Sequence, residues 1–148
     1  SWLQSSKWAM PAIVLASVWK DMGYFGLMLM SGLQGINQEY YDAAAIDGAG
    51  KIKQFTRITL PLLTPTLFFV LIISLINSFQ LFTQIMIMTP DGGPLGSTMV
   101  MVERIYKYGF RYYEMGTAAA YSWILFAILL LLTMVQMKLQ NKWVNYDD

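Results

Sequence analysis

Two long stretches of the chain carry no charged side chain: residues 58–90, between Arg57 and Asp91, and residues 115–137, between Glu114 and Lys138. A helix needs roughly 20 residues to cross the hydrocarbon core of a bilayer, and both stretches exceed that. The first predicts a span over about 65–88, opening at Thr64-Pro65 because proline is welcome in a helix's first turn. The second predicts a span over about 116–138. Its small residues, Gly116 to Ala120, suit close helix packing, and its run Leu129 to Leu132 suits lipid contact. An earlier apolar stretch, about 10–33, predicts a further span, but Lys20, Asp21 and Gly23 interrupt it. Charges at membrane depth are costly and are paired or turned towards protein or water. The interruption predicts a kink or local unwinding there, with two shorter helices as the alternative.

The connecting segments are polar and patterned. In residues 34–64, Asp42-Ala43-Ala44-Ala45-Ile46-Asp47-Gly48 combines helix formers with an acid read as lying at a helix start and a glycine at a plausible C-cap. Ile52, Phe55, Thr56 and Thr59 follow at helical spacing. Two short helices joined at Gly48-Ala49-Gly50 are expected, with Pro61 ending the second. Residues 89–115 open on the turn formers Pro90-Asp91-Gly92-Gly93-Pro94. Met99 to Tyr108 then sets Glu103, Arg104 and Lys107 beside Val100, Ile105 and Tyr106, an amphipathic pattern expected at the membrane interface. The tail from Lys138 to Asp148, with Lys142 and Trp143, reads as an interfacial stop and anchor. The expected fold is all-α: a polytopic helical membrane protein with about three transmembrane helices, one polar connecting loop at 34–64 and another at 89–115.

Composition agrees. The chain is 56% hydrophobic and 13% charged, against about 45–50% and about 25% in soluble domains. A net charge of +1 provides no basic surface for nucleic acid. With no Cys and no His, thiol and Ser-His-Asp catalysis and zinc or haem ligation by those residues are excluded; no metal or cofactor is expected. Eleven Met do not suggest soft-metal transport, because Met is common in apolar helices. If residues 34–64 face the cytoplasm, that side holds Lys51, Lys53, Arg57, Lys138 and Lys142; the other holds Lys7, Arg104, Lys107 and Arg111. The preference of Lys and Arg for the cytoplasm therefore leaves orientation open. The start Ser1-Trp2-Leu3, without Met or a signal peptide, reads as a piece of a longer protein.

The polar loop carries the most specific signal. Asp42-Ala43-Ala44, three residues, Gly48, nine residues, and Ile58-Thr59-Leu60-Pro61 resemble the cytoplasmic loop of binding-protein-dependent ABC importer permeases, E-A-A, three residues, G, nine residues, I-x-L-P. Asp42 replaces the usual Glu; Ala43, Ala44, Gly48, Ile58, Leu60 and Pro61 match. The resemblance extends to the sugar-type branch through Leu33-Gln34, Ile36, Asp47-Gly48-Ala49, Met88-Thr89, Gly92-Gly93-Pro94, Thr98, Ile105-Tyr106, Phe110, Gly116, Ala118 and Ala120. Pro90 and Asp91 depart from it, because one residue more often separates that threonine from the glycine pair. The resemblance implies the C-terminal half of a carbohydrate-uptake permease of the maltose or glycerol-phosphate type, in a bacterial inner membrane. It also implies a cytoplasmic ATP-binding subunit docking on the loop, a second permease subunit and an extracytoplasmic solute-binding protein. No Walker-type glycine loop is present, so ATP hydrolysis is expected on another chain. An ordinary packing hairpin is the plainer reading of the loop.

A solute path is expected from Ser74, Asn77, Ser78 and Gln84, which fall near one face of the predicted second span, with Tyr121 and Trp123 placed to stack on a sugar. Hydroxyls and amides suit uncharged polyols; hydrogen bonding between helices is the competing use. Lys20 and Asp21 read as a paired charge rather than a proton relay. Alternatives are an ABC permease for a phosphate ester or peptide, and a structural subunit of a membrane complex.

Overall fold

A computed structural model of the chain describes residues 2–144, apart from the side chains of residues 141–143; the anchor expected at Lys142, Trp143 and the last residues lies outside what is described. Every regular element among the described residues is helical. Three helices are long and apolar enough to cross a bilayer: α1 (Ala9–Gln34), the run Lys51–Phe79 that contains α3 and α4, and α7 (Met115–Trp143).

The first and third match the expected spans within a few residues. α1 has no break at Lys20-Asp21: the helix runs unbroken past both. The two side chains pair at 3.4 Å and are 61% and 33% exposed, so the charges are met by side-chain pairing. Backbone hydrogen bonds, costly to lose in hydrocarbon, stay intact, and the expected kink is overturned.

The second span is shifted. After α2 (Gln38–Ile46) and a turn, α3 (Lys51–Gln54) continues through a wide π turn (Phe55–Thr59) into α4 (Leu60–Phe79). Pro61 therefore does not end a helix. A proline ring collides with the carbonyl four residues earlier, here that of Arg57, and the wide turn takes that carbonyl out of α register. Leu60 N–H instead donates to the Phe55 carbonyl. Pro65, inside α4, leaves the Pro61 carbonyl without its usual donor, and Thr64 Oγ1 donates to it at 2.6 Å. α4 stops at Phe79, where the sequence has turned polar at Asn77, Ser78 and Gln80, and the short α5 (Thr83–Met88) follows. The expected span 65–88 is thus divided, and Gln84 belongs to a different helix from Ser74.

Beyond α5 come two single-turn 3-10 segments (Pro90–Gly92 and Pro94–Gly96), α6 (Met101–Tyr106) and a second π turn (Lys107–Arg111) before α7. α4 is central: it packs on α1 and α7, while α6 packs on α7 and α5 on α1. Few apolar side chains are buried, Ile13, Leu63, Phe68, Ile85 and Leu125 among them, and large ones such as Trp19, Leu27, Trp123 and Leu131 are exposed. That distribution suits lipid or further helices around the outside.

Lipid tails are as apolar as leucine, so helices pair there through close fit. The α1–α4 crossing illustrates this at Gly32. A methyl added there would lie 2.5 Å from Thr66 Oγ1 and 2.9 Å from Leu63 Cδ1, whereas one added at Gly23 or Gly26 meets nothing within 4 Å. Gly32→Ala is therefore expected to destabilise the helix pair by about 1–3 kcal/mol, and Gly26→Ala to be neutral or slightly stabilising. Thermal unfolding of the detergent-solubilised full-length protein checks this; equal melting temperatures for both variants would contradict the close crossing.

Candidate functional site

The segment between α1 and α4 folds as a helix–turn–helix. Asn37 caps α2, its side-chain oxygen accepting from Glu39 N–H at 3.1 Å. The cap moves the helix start upstream: Asp42 is an exposed mid-helix residue that accepts from Gln38 Nε2 at 3.4 Å and does not cap. The other end of α2 is a Schellman turn. Gly48 N–H donates to the Ala45 carbonyl at 3.0 Å and Ala49 N–H to the Ala44 carbonyl at 2.9 Å, with Gly48 at φ +74°, a left-handed value that glycine adopts without penalty. No atom lies near a Cβ placed on Gly48, so the backbone turn alone demands glycine, and no close contact within the chain does.

Tyr41 Oη and Thr59 Oγ1, 2.8 Å apart, tie α2 to the foot of α4, and Gln54 Nε2 donates to the Ala49 carbonyl at 3.1 Å. Neither bond was visible in the residue spacing. The hairpin is otherwise open. Asp42 and Ala43 are exposed, Ala44 is half-buried, and Ile46 and Ile52 are 87% and 83% exposed. The second half of the motif lies elsewhere: Ile58 is in the π turn, and Leu60 and Pro61 open α4. Isoleucines so uncovered, beside Asp42, Asp47, Lys51 and Lys53, form a surface of mixed apolar and charged character.

The polar residues of α4 border a cavity of about 630 Å³ between α1 and α4. Ser74, Asn77 and Ser78 line it from α4, and Ser17, Asp21 and Phe25 from α1. Ser74 Oγ donates to the Leu71 carbonyl at 3.0 Å and Ser78 Oγ to the Ser74 carbonyl at 2.7 Å, which leaves their oxygens as acceptors. Gln84 and Tyr121 are not in this wall. The break after Phe79 carries Gln84 away on α5. Tyr121 serves α6–α7 packing: its ring stacks on Tyr108 at 5.4 Å and its hydroxyl accepts from Arg104 Nη1 at 3.4 Å. Asp21, read from sequence only as a paired charge, belongs to the cavity.

The 89–115 segment, of which Met99 to Tyr108 was expected at the membrane interface, is fastened by buried polar groups. Thr98 Oγ1 donates to Thr89 Oγ1 at 2.9 Å, and Thr98 N–H to the Gly92 carbonyl at 2.9 Å. A Cβ on Gly93 would sit 2.6 Å from Thr98 Oγ1. The Glu103 carboxylate is 1% exposed and pairs with Lys107 Nζ at 3.0 Å; Lys107 also approaches Asp91 at 3.7 Å, and Arg111 pairs with Asp91. The i,i+4 spacing of Glu103 and Lys107 hinted at a helical pair, but nothing in the sequence marked it as buried.

Among the described residues, three bilayer-length helices, an exposed helix–turn–helix between two of them and a largely apolar cavity edged by Ser17, Asp21, Ser74, Asn77 and Ser78 fit a multi-pass, membrane-embedded protein. The chain belongs to the family of binding-protein-dependent transport system inner membrane components, whose pattern it matches over residues 1–146. It is 36% identical to a probable ABC transporter permease protein, YesP, of Bacillus subtilis over 99% of this chain and 48% of that one. It is 37% identical to the sn-glycerol-3-phosphate transport system permease protein UgpA of Pectobacterium atrosepticum, over 97% of this chain and 49% of the relative. The chain thus spans about half the length of these relatives. Its fold matches a chain in the crystal structure of a bacterial ABC transporter involved in the import of the acidic polysaccharide alginate, with a TM-score of 0.82 at 23% identity, over 95% of this chain and 49% of that one.

Removing one partner of a buried ion pair leaves an uncompensated charge, at a cost of about 3–5 kcal/mol. Lys107→Met, which leaves the buried Glu103 carboxylate without its partner, is expected to destabilise the protein by that order, and the double variant Glu103→Leu with Lys107→Met to recover most of the loss. Thermal unfolding of the full-length protein checks both; a Lys107→Met protein as stable as the parent would contradict the buried pair.

Proposed function

We propose that this chain is part of the permease subunit of an ATP-driven importer for a sugar or related polyol. It works in a bacterial inner membrane with a cytoplasmic ATPase subunit, a second permease subunit and an extracytoplasmic solute-binding protein. Family membership supports the class, and the observation that carries the mechanism is the open α2–Gly48–α3 hairpin. Its uncovered Ile46 and Ile52 suit insertion into a groove on the ATPase, and Asp42 is free to pair with a basic residue there. Ala43, exposed and small, permits close approach. ATP hydrolysis takes place on the ATPase; this subunit transmits the resulting motion by alternating exposure of the solute cavity to the two sides. The Tyr41–Thr59 bond makes the hairpin and α4 move together, which such transmission requires.

Ser74, Asn77 and Ser78 are assigned to the solute path because they share one cavity wall. Gln84 and Tyr121 are left out of it. A second reading, transport of a phosphate ester, draws support from the likeness to UgpA, but among the described residues the cavity wall contains a carboxylate and no cationic residue, which favours an uncharged solute.

Two outcomes test the assignment. Gly48→Val forces a branched residue into a left-handed turn, at roughly 1–2 kcal/mol. It should lower ATPase co-purification and abolish solute-stimulated ATP hydrolysis, while Gly48→Asn, which tolerates that conformation, retains both; undiminished association in Gly48→Val would count against docking through the hairpin. Asn77→Leu should cut uptake of the transported sugar by about tenfold or more while the ATPase still co-purifies. Normal uptake would remove Asn77 from the path.

A further inference from the structure

The cavity between α1 and α4 holds one ionisable side chain, Asp21. Its depth is fixed by the antiparallel packing of the two helices. Gly32 of α1 meets Leu63 and Thr66 of α4. Counting back from Gly32 to Asp21, and forward by the same number from Pro65, reaches Ile76, between Ser74 and Asn77. Asp21 therefore stands at the level of the polar residues on the facing helix, near the midpoint of α1. Ser17, one helical turn before it, lines the same cavity, and its buried hydroxyl has no hydrogen-bond partner. Lys20 pairs with Asp21 at 3.4 Å, but its side chain is 61% exposed and is not part of the cavity wall. The acid faces the cavity and the base does not.

We propose that Asp21 is a specificity-determining residue that sets the charge selectivity of this cavity. Its carboxylate accepts hydrogen bonds from the hydroxyls of uncharged polyols and repels anions such as phosphate esters. A carboxylate at an apolar wall acts on a charge a few ångströms away; Lys20, paired with it but turned towards the outside, is solvated and offsets only part of that effect inside the cavity, while a hydroxyl can turn its proton towards the carboxylate. The proposal rests on the reading of the cavity as the solute path.

The absence of cysteine from this chain provides a direct assay. Asn77→Cys is introduced into the full-length permease, assembled with its partners in de-energised membrane vesicles and in a background without other reactive cysteines. Its modification rate is measured with three methanethiosulfonate reagents, uncharged, trimethylammonium-bearing and sulfonate-bearing, each divided by its rate with a small free thiol. With Asp21 present, the normalised cationic rate should exceed the anionic by about tenfold. With Asp21→Asn the ratio should fall towards one while the uncharged reagent reacts as before, and Asp21→Glu should restore it. Normalised rates that are equal for the two charged reagents in the Asp21 parent overturn the proposal, with no need for the Asp21→Asn protein to fold. A thiol at position 77 that even the uncharged reagent cannot reach overturns the solute-path reading instead, and the role of Asp21 with it.

Discussion

Backbone amides in hydrocarbon have no water to turn to, so every N–H and C=O that leaves a regular helix must find a partner in the protein. That constraint accounts for the local oddities of this chain. Two prolines in the early part of the central helix would each strand a carbonyl or collide with one. The π turn at Phe55–Thr59 removes the collision at Pro61, and the Thr64 hydroxyl serves the Pro61 carbonyl that Pro65 cannot reach. The same constraint keeps α1 intact through Lys20 and Asp21, where a side-chain pair meets the charges and leaves the backbone bonds undisturbed. Where α4 does end, at Phe79, the non-helical residues are Gln80, Leu81 and Phe82, and Gln80 N–H still donates to the Ile76 carbonyl.

Outside the helices, polar groups are fastened in two different ways. The hairpin is held by turn chemistry at its ends, Asn37 at one and Gly48 at the other, and by the Tyr41–Thr59 bond, and it leaves its apolar side chains uncovered. The 89–115 segment is held from within, by Thr89, Thr98 and the Glu103–Lys107 pair. One segment presents a surface and the other closes on itself. The second holds α6 against α7, and α5 packs on α1.

The fold was legible where charge boundaries and helix boundaries coincide. Glu114 and Lys138 bracket the apolar run of α7, and apolar length defines α1, so both were located to within about five residues. The central helix was displaced because residues 58–90 carry no charge, and the polar cluster Asn77, Ser78 and Gln80 was read as one face of a span and not as its end. That single miss put Gln84 on the wrong helix. Gly48 was readable, since a glycine after a run of alanines is a common helix stop, but Asn37 was passed over although an asparagine before Gln38-Glu39 is a good cap. Asp42 was consequently placed at a helix start it does not occupy. Asp21 and Glu103 show the limit of pattern reading: both are acids with a lysine within helical reach, and only packing distinguishes a cavity wall from a closed ion pair.

The continuity of the run from Lys51 to Phe79 has a geometric consequence. At about 1.5 Å per residue, about 35 Å of unbroken helix separate the hairpin foot from Ser74. A stiff rod of that length converts a tilt of about 10° at its lower end into a sideways sweep of about 6 Å at the upper, comparable to the width of a sugar ring. The rod departs from regular α-helical bonding at the π turn and at the Pro61–Pro65 turn that follows it, so slack between the two ends is concentrated there.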